Sequence, residues 1–199
     1  MSSVSSLFTL GNAIRALLVI GLIAVFGVVV QSCQKPKTGL ERLSVASLSK
    51  LTTLEAPPPQ PDISFSSTTD EIMHLSDYRG KIILVNAWAT WCPPCVAEMP
   101  SLNRLQDQKG GEDFEVITIS LDNKKEEITE FFEKNGINAL PSWHDSTYQI
   151  NGLLQLPGLP TTVIYDRSGR EIARLLGEAE WDSPEALALV DYLIAGSNN

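Results

Sequence analysis

Two cysteines, Cys92 and Cys95, stand two residues apart in the segment WATWCPPCVAEMP (88–100). Thiols at this spacing can make a metal half-site, a static bridge, or a disulfide that forms and breaks in turnover. Zinc takes about four ligands. Outside this pair the chain offers only Cys33, His74 and His144 as further sulfur or imidazole donors. A metal is therefore not expected. A redox pair is, and it needs no cofactor beyond the Cys92–Cys95 disulfide itself.

The two sulfurs are not equivalent. Cys92 falls where an apolar strand ends and a helix begins. The first N–H groups of a helix lack internal partners and favour an anion. A thiolate is such an anion, so Cys92 should have a lowered pKa and attack first. Cys95, one turn further in, should be the buried resolving thiol that breaks the mixed disulfide. Pro93 and Pro94 fix two φ angles and remove two N–H donors, which stiffens the turn. With Trp91 they form the expected substrate contact, whereas Trp88 reads as core. Glu98 follows Cys95 by three residues, on the same helical side. If buried, it can exchange a proton with Cys95; the competing reading is an ordinary exposed glutamate. Pro160, in GLPTT, enters a strand. Its residues alone favour a trans loop proline. A cis bond would leave the backbone of Leu159 free to pair with an extended peptide.

These residues need a frame. KIILVNAWAT (81–90) is apolar at strand length, as in a strand buried on both faces. A helix is predicted from about Pro93 to Lys109, kinked at Pro100. FEVITISLD (114–122) is the next buried strand. A helix follows it, with Asn123 as N-cap and Gly136 as stop. DISF and IMHL are short strand candidates, and 146–156 is a candidate helix. TTVIYDRSGREIARLLG (161–177) reads as a hairpin, and Ser183 caps a last helix that has Pro184 at its first position. The order predicts an α/β fold with a mixed sheet and helices on both faces.

Before residue 62 the character changes. Residues 16–30 carry no polar side chain. As a helix they span roughly 22 Å against a hydrocarbon core of about 30 Å. An uncleaved anchor, cleavage after Ser32 and lipid attachment at Cys33 compete, with the anchor favoured; each exports the rest of the chain. Residues 1–12 are then a cytoplasmic segment and 13–32 the anchor or signal. Residues 33–61 read as a linker with a short amphipathic helix and a stiff APPPQP spacer, and 62–199 as the domain. The chain carries a net charge of −9, yet residues 62–199 hold 22 acids against 10 bases. That repels phosphate backbones and argues against nucleic acid as a partner. Nothing suggests an obligate dimer, so a monomer is expected.

Cys92-Pro-Pro-Cys95 after Trp91, Pro100, and Pro160 before a strand resemble the thioredoxin superfamily over about Asp62 to Ala195. LSDYRGKIILVNAWATWCPPC (75–95), AEMPSLNRL (97–105), the insertion around 138–158 and GEAEW (177–181) narrow this to membrane-anchored thiol–disulfide interchange proteins of the TlpA/ResA/CcmG group, GEAEW pointing to TlpA. The resemblance implies a thioredoxin-like fold with an N-terminal β-hairpin extension and a central α insertion. It implies a protein-disulfide reductase at the bacterial inner membrane, its domain in the periplasm. A membrane thiol-reductant donor would keep it reduced, and its substrates would be proteins with reducible disulfides in cytochrome oxidase (copper-site) or cytochrome c biogenesis. It also implies an acid at Glu98 beside the resolving cysteine, and a cis Pro160 next to Leu159.

Two positions depart from the pattern. Thioredoxins proper carry a buried Asp where this chain has Asn86, which leaves Glu98 as the proton carrier. TlpA-like proteins often tie the N-terminal segment to the hairpin by a disulfide, but the hairpin position here is Arg170. Cys33 then has no evident mate, and lipidation, pairing with another chain and removal with a signal stay open. Two alternatives use the same fold. A copper chaperone would want a wider Cys spacing and a placed His, for which His144 is the candidate. A peroxiredoxin-type peroxidase would want Thr or Ser three residues before the reactive Cys, where this chain has Ala89.

Overall fold

The computed structural model describes residue 12, residues 14–25 and residues 39–196. The chain divides into two compact units, Met1–Lys37 and Thr38–Asn199. In the first, residues 14–25 are helical and exposed. Among the described residues no helix is long and apolar enough to cross a membrane. The expected cytoplasmic segment up to residue 11, the rest of the apolar run, the processing position after Ser32, and Cys33 lie outside the described residues.

The second unit is built on one eight-stranded sheet. Its strands are β1 (Leu51–Thr53), β2 (Ser64–Ser67), β3 (Ile72–His74), β4 (Ile82–Trp88), β5 (Phe114–Ser120), β6 (Trp143–His144), β7 (Thr161–Tyr165) and β8 (Glu171–Leu176). They lie in the order β1-β8-β7-β4-β5-β6-β2-β3. β4 pairs parallel with β5, and β5 parallel with β6. The hairpin β7–β8 lies antiparallel on the other side of β4, while β2–β3 closes the far edge. The helices are α1 (Gly39–Leu43), α2 (Pro93–Lys109), α3 (Lys125–Asn135), α4 (Gln149–Leu153) and α5 (Pro184–Gly196).

Strand alternation sorts the core into two layers. β4 is buried at all seven positions. Its Ile82, Leu84 and Trp88 join α2, α3 and α5 on one face. Ile83, Val85 and Ala87 face the second layer, where Leu75 and Tyr78 of a 3-10 turn, Ile150 of α4 and Phe65 of β2 pack. α2 and α3 cover the same face because each is the crossover of a parallel pair that steps in the same direction.

Three local expectations change. First, the connector is not a linker up to residue 61: the compact unit starts at Thr38. Its predicted helix stops at Leu43, and β1 then pairs with β8. The Pro-rich stretch is hydrogen-bonded to the hairpin rather than marking a boundary. Glu171 N–H donates to Pro58 O at 2.9 Å and Gln60 N–H to Gly169 O at 2.7 Å. An open strand edge offers unpaired backbone groups that this segment satisfies. Leu48 and Leu51 also leave water, each stabilising by roughly 1.5–3 kcal/mol. Second, α3 starts one residue later than predicted, with Lys124 at its cap, because the Asn123 side chain instead accepts from the Tyr148 hydroxyl. Third, the 146–156 helix shrinks to the five residues of α4. Its first turn is held by Asp145, which accepts from Ile150 N–H at 2.8 Å. Gly136 does stop α3, at a left-handed φ of 65°, where the lack of a Cβ removes the strain.

Candidate functional site

The carboxyl ends of β4 and β5 and the amino end of β7 lie together, and the site is there. β4 ends at Trp88 and the chain reaches Cys92 four residues later, at the N-cap of α2. Its backbone is extended (φ −100°, ψ 103°), so its carbonyl already accepts from Val96 N–H at 3.0 Å. Cys92 and Cys95 are joined by a disulfide, with their Cα atoms 5.3 Å apart. Cys92 Sγ accepts from Cys95 N–H at 3.4 Å. Cys92 retains slight exposure, while Cys95 is fully enclosed. Only the first sulfur can meet a partner. Trp91 is 63% exposed, Pro93 is exposed and Pro94 half-buried.

α2 turns one stripe inward: Cys95, Glu98, Met99, Leu102 and Leu105. This is a regular 3–4 spacing, except that one member is an acid. Glu98 is 3% exposed. Its Oε1 accepts from Asn86 Nδ2 of β4 at 2.8 Å. Its Oε2 accepts from Trp181 Nε1 at 3.0 Å and from Ala179 N–H at 3.2 Å. Burial pushes the Glu98 carboxyl up from an ordinary 4.5 to about 7. The donors from Asn86, Trp181 and Ala179 hold it back from rising further, while the charge of Glu178 adds to the rise. A carboxyl poised there can take or give a proton near neutrality. It lines a hollow of about 190 Å³ with Ser47, Ala97, Glu178, Ala179 and Glu180.

The Leu159–Pro160 peptide is cis. Pairing of Ala87 with Thr161 sets Pro160 beside the end of β4, and Leu159 packs partly buried against both core layers. The fold thus brings Trp91, Cys92, Pro93, Pro94, Cys95, Glu98, Leu159 and Pro160 to one end of the sheet.

A second buried carboxylate went unread in the sequence. Asp122, at the end of β5, is fully enclosed. It accepts from Thr90 N–H at 3.1 and 3.0 Å, from Thr90 Oγ1 at 2.7 Å and from Ser120 Oγ at 2.7 Å. Its carbonyl meets His144 Nε2 at 2.7 Å. Asp122 thereby fixes the turn that leads into Cys92. The signal was an acid ending the apolar run FEVITISLD. His144 is a buried member of this network, and among the described residues no group of three or more His, Cys, Asp or Glu is placed to hold a metal.

Residues 58–174 match the AhpC/TSA family. The chain is 30% identical over 113 residues to the thiol-disulfide oxidoreductase ResA of Oceanobacillus iheyensis, over 55% of this chain and 58% of that protein. It is 32% identical over 110 residues to ResA of Geobacillus thermodenitrificans, over 55% and 63%. The match thus spans less than two thirds of the length of these relatives. Among solved structures, a secreted thiol-disulfide isomerase from Corynebacterium glutamicum superposes with a TM-score of 0.61 at 27% identity, over 71% of this chain and 92% of that one.

Proposed function

The chain belongs to the AhpC/TSA family, with a thioredoxin-like fold, and from that premise we propose that it is a protein-disulfide reductase working through Cys92 and Cys95. One observation carries the reading: a Cys92–Cys95 disulfide at the start of α2, with only Cys92 reachable and a near-neutral acid one turn beyond Cys95. Likeness to proteins named thiol-disulfide oxidoreductases supports it.

In the reduced protein, the helix start favours the Cys92 thiolate. That thiolate attacks one sulfur of a substrate disulfide. The substrate S–S bond breaks, a Cys92–substrate bond forms, and the departing substrate thiolate takes up a proton. Ionised Glu98 removes the Cys95 proton. The Cys95 thiolate then attacks Cys92 Sγ, which closes the Cys92–Cys95 disulfide and releases the second substrate thiolate. Two electrons have passed to the substrate. A thiol donor must return them, and Glu98 gives its proton back to Cys95 as the pair is reduced. Trp91, Pro93 and Pro94 form the contact face, and the backbone at Leu159–Pro160 pairs with an extended substrate segment.

The wider setting is part of the same proposal. The apolar run at 16–30 anchors the chain in the bacterial inner membrane with the domain in the periplasm. A membrane thiol reductant supplies the electrons, and the substrates belong to cytochrome c or oxidase copper-site biogenesis, as GEAEW and the CPPC segment suggest. The decisive experiment replaces each sulfur in turn. Cys92→Ser should abolish reduction of a protein disulfide, and Cys95→Ser should trap a covalent complex through Cys92. Undiminished reduction by Cys92→Ser ends the reading.

A further inference from the structure

We propose that Asn86 and Trp181 are positioning residues that confine the Glu98 proton to one carboxylate oxygen, Oε1, and that the Asn86 amide turns over as the proton arrives or leaves.

The two oxygens of Glu98 have different company. Oε2 meets the Trp181 indole N–H and the Ala179 backbone N–H, at 3.0 and 3.2 Å. Neither group has a lone pair with which to accept. A proton on Oε2 would point into two donors, whereas an unprotonated Oε2 satisfies both. Oε1 meets a single partner, Asn86 Nδ2, at 2.8 Å. An amide differs from an indole in carrying an acceptor as well as donors. Asn86 is fully buried.

The acceptor end of that amide is what points to a second state. Asn86 gives its two Nδ2 hydrogens to Glu98 Oε1 and to Thr162 Oγ1, the latter at 3.0 Å. Its Oδ1 is buried without a hydrogen-bond partner. A buried unmet acceptor is costly and asks for a reason. Turning the amide by about 180° exchanges its ends, since the two orientations have nearly the same shape. Oδ1 then accepts from Glu98 Oε1–H, and the Thr162 hydroxyl, which can donate as well as accept, turns its hydrogen toward Oδ1. In that orientation Nδ2 is the unmet end. The first orientation leaves the amide oxygen unmet and the second the amide nitrogen, and the charge on Glu98 selects between them. A carboxylate selects the donor end; a carboxylic acid selects the acceptor end.

Other groups around Glu98 do not replace this switch. Cys95 precedes it by one turn on α2. Glu178 and Glu180 flank it in the segment after β8, and Ser47 of the connector lines the same hollow. Asn86 on β4 and Thr162 on β7 complete the surroundings and carry no charge. Ser101 accepts from Trp181 N–H at 3.1 Å and donates to Glu98 O at 2.7 Å, which pins the Trp181 backbone to α2. Trp181 is thus a fixed donor and Asn86 a reversible one. This inference rests on the thiol-exchange reading only for its consequence, that the acid presents its proton from one defined atom.

The test is a pH titration of the full-length oxidised chain, labelled with 13C and 15N in the Asn and Glu side chains and followed by NMR. The Asn86 side-chain carbonyl and amide signals should move in one transition, with the midpoint of the Glu98 carboxyl carbon. Trp181→Phe removes a donor that serves the ionised form and should raise that midpoint by about one pH unit. A lost packing contact alone would not shift it in that direction. Asn86 signals that stay flat through the Glu98 transition overturn the proposal, as does a Trp181→Phe midpoint that is unchanged or lower. The wild-type titration needs no variant to fold and no turnover. An inactive Cys pair and a wrong assignment of the proton therefore give different results.

Discussion

Glu98 and Asp122 are buried carboxylates at the same end of the sheet, one on α2 beyond the cysteines and one just past β5, bonded to the turn that leads into Cys92. Asp122 takes its donors from Thr90 and Ser120, within and beside that turn. Glu98 takes its donors from Asn86, Trp181 and Ala179, which belong to a strand and to a distant segment. The first carboxylate accepts from one backbone N–H and two hydroxyls of the turn and strand it holds still. The second is held by its surroundings while it changes charge. Burial alone therefore does not say what an acid is for; the identity of its donors does.

Of the two acids, Asp122 should be the costlier to remove. Asp122→Ala leaves the partly buried Thr90 N–H and hydroxyl and the buried Ser120 hydroxyl without their acceptor. Bonds to a charged group contribute about 1.5–3 kcal/mol each, and unmet buried donors add to the loss. The expected destabilisation is on the order of 4 kcal/mol by chemical denaturation, and the disulfide reduction proposed for Cys92 should fall because the approach to it is no longer fixed. Asp122→Asn keeps an acceptor for Thr90 and should lose much less. A change below about 1 kcal/mol in the alanine variant would show that the turn is held by something else.

For Glu98 the expected signature is in pH dependence. Its folded value is raised, from 4.5 to about 7, so the folded state binds the proton more tightly than the unfolded chain does. Its contribution is fully present below pH 4.5 and is lost as pH rises through about 7. The swing is about 3 kcal/mol. Glu98→Gln should remove that swing, so the difference between the stability curves of the two proteins falls steeply over this window and is level above it. A level difference from pH 4 to 8 would show that folding does not raise the Glu98 carboxyl. The variant should also flatten the pH profile of Cys95 reactivity.

Much of this frame was legible in the residues, and the exceptions have physical causes. The apolar runs at 81–90 and 114–122 had to be buried strands, and α2 spans Pro93–Lys109 as its start and stop residues imply. Cys92 and Cys95 follow from spacing alone. The two-residue strand β6 leaves too short a pattern to see, since alternation needs several residues to register. β1 was hidden because Leu40, Leu43, Leu51 and Leu54 keep near-helical spacing, while the open edge of β8 decides the outcome. Trp181 and Asp122 act through partners far away in the chain. Trp181 reaches Glu98 across 83 positions, and no local period records such a contact. Asn86 could be read as a departure from a pattern, but its unmet Oδ1 appears only in three dimensions.

The smallest expected change in stability belongs to Trp91, which sits between Thr90, the residue Asp122 holds, and Cys92, the sulfur proposed to react. It is 63% exposed, so Trp91→Ala should alter stability by no more than about 0.5 kcal/mol. Its effect should fall on recognition. An exposed aromatic at an interface commonly contributes more than about 1 kcal/mol, so KM for a folded protein disulfide should rise about fivefold, with a small-molecule disulfide reduced as before. The link to Asp122 is then measurable by a double-mutant cycle. If Asp122 acts by placing the turn, removing Trp91 from the Asp122→Ala protein should cost little more, because the indole is already out of position. Neighbours that share a structure are non-additive in this way. Fully additive losses would mean that Trp91 finds its place without Asp122, and the mechanical role assigned to that carboxylate would stop at Thr90.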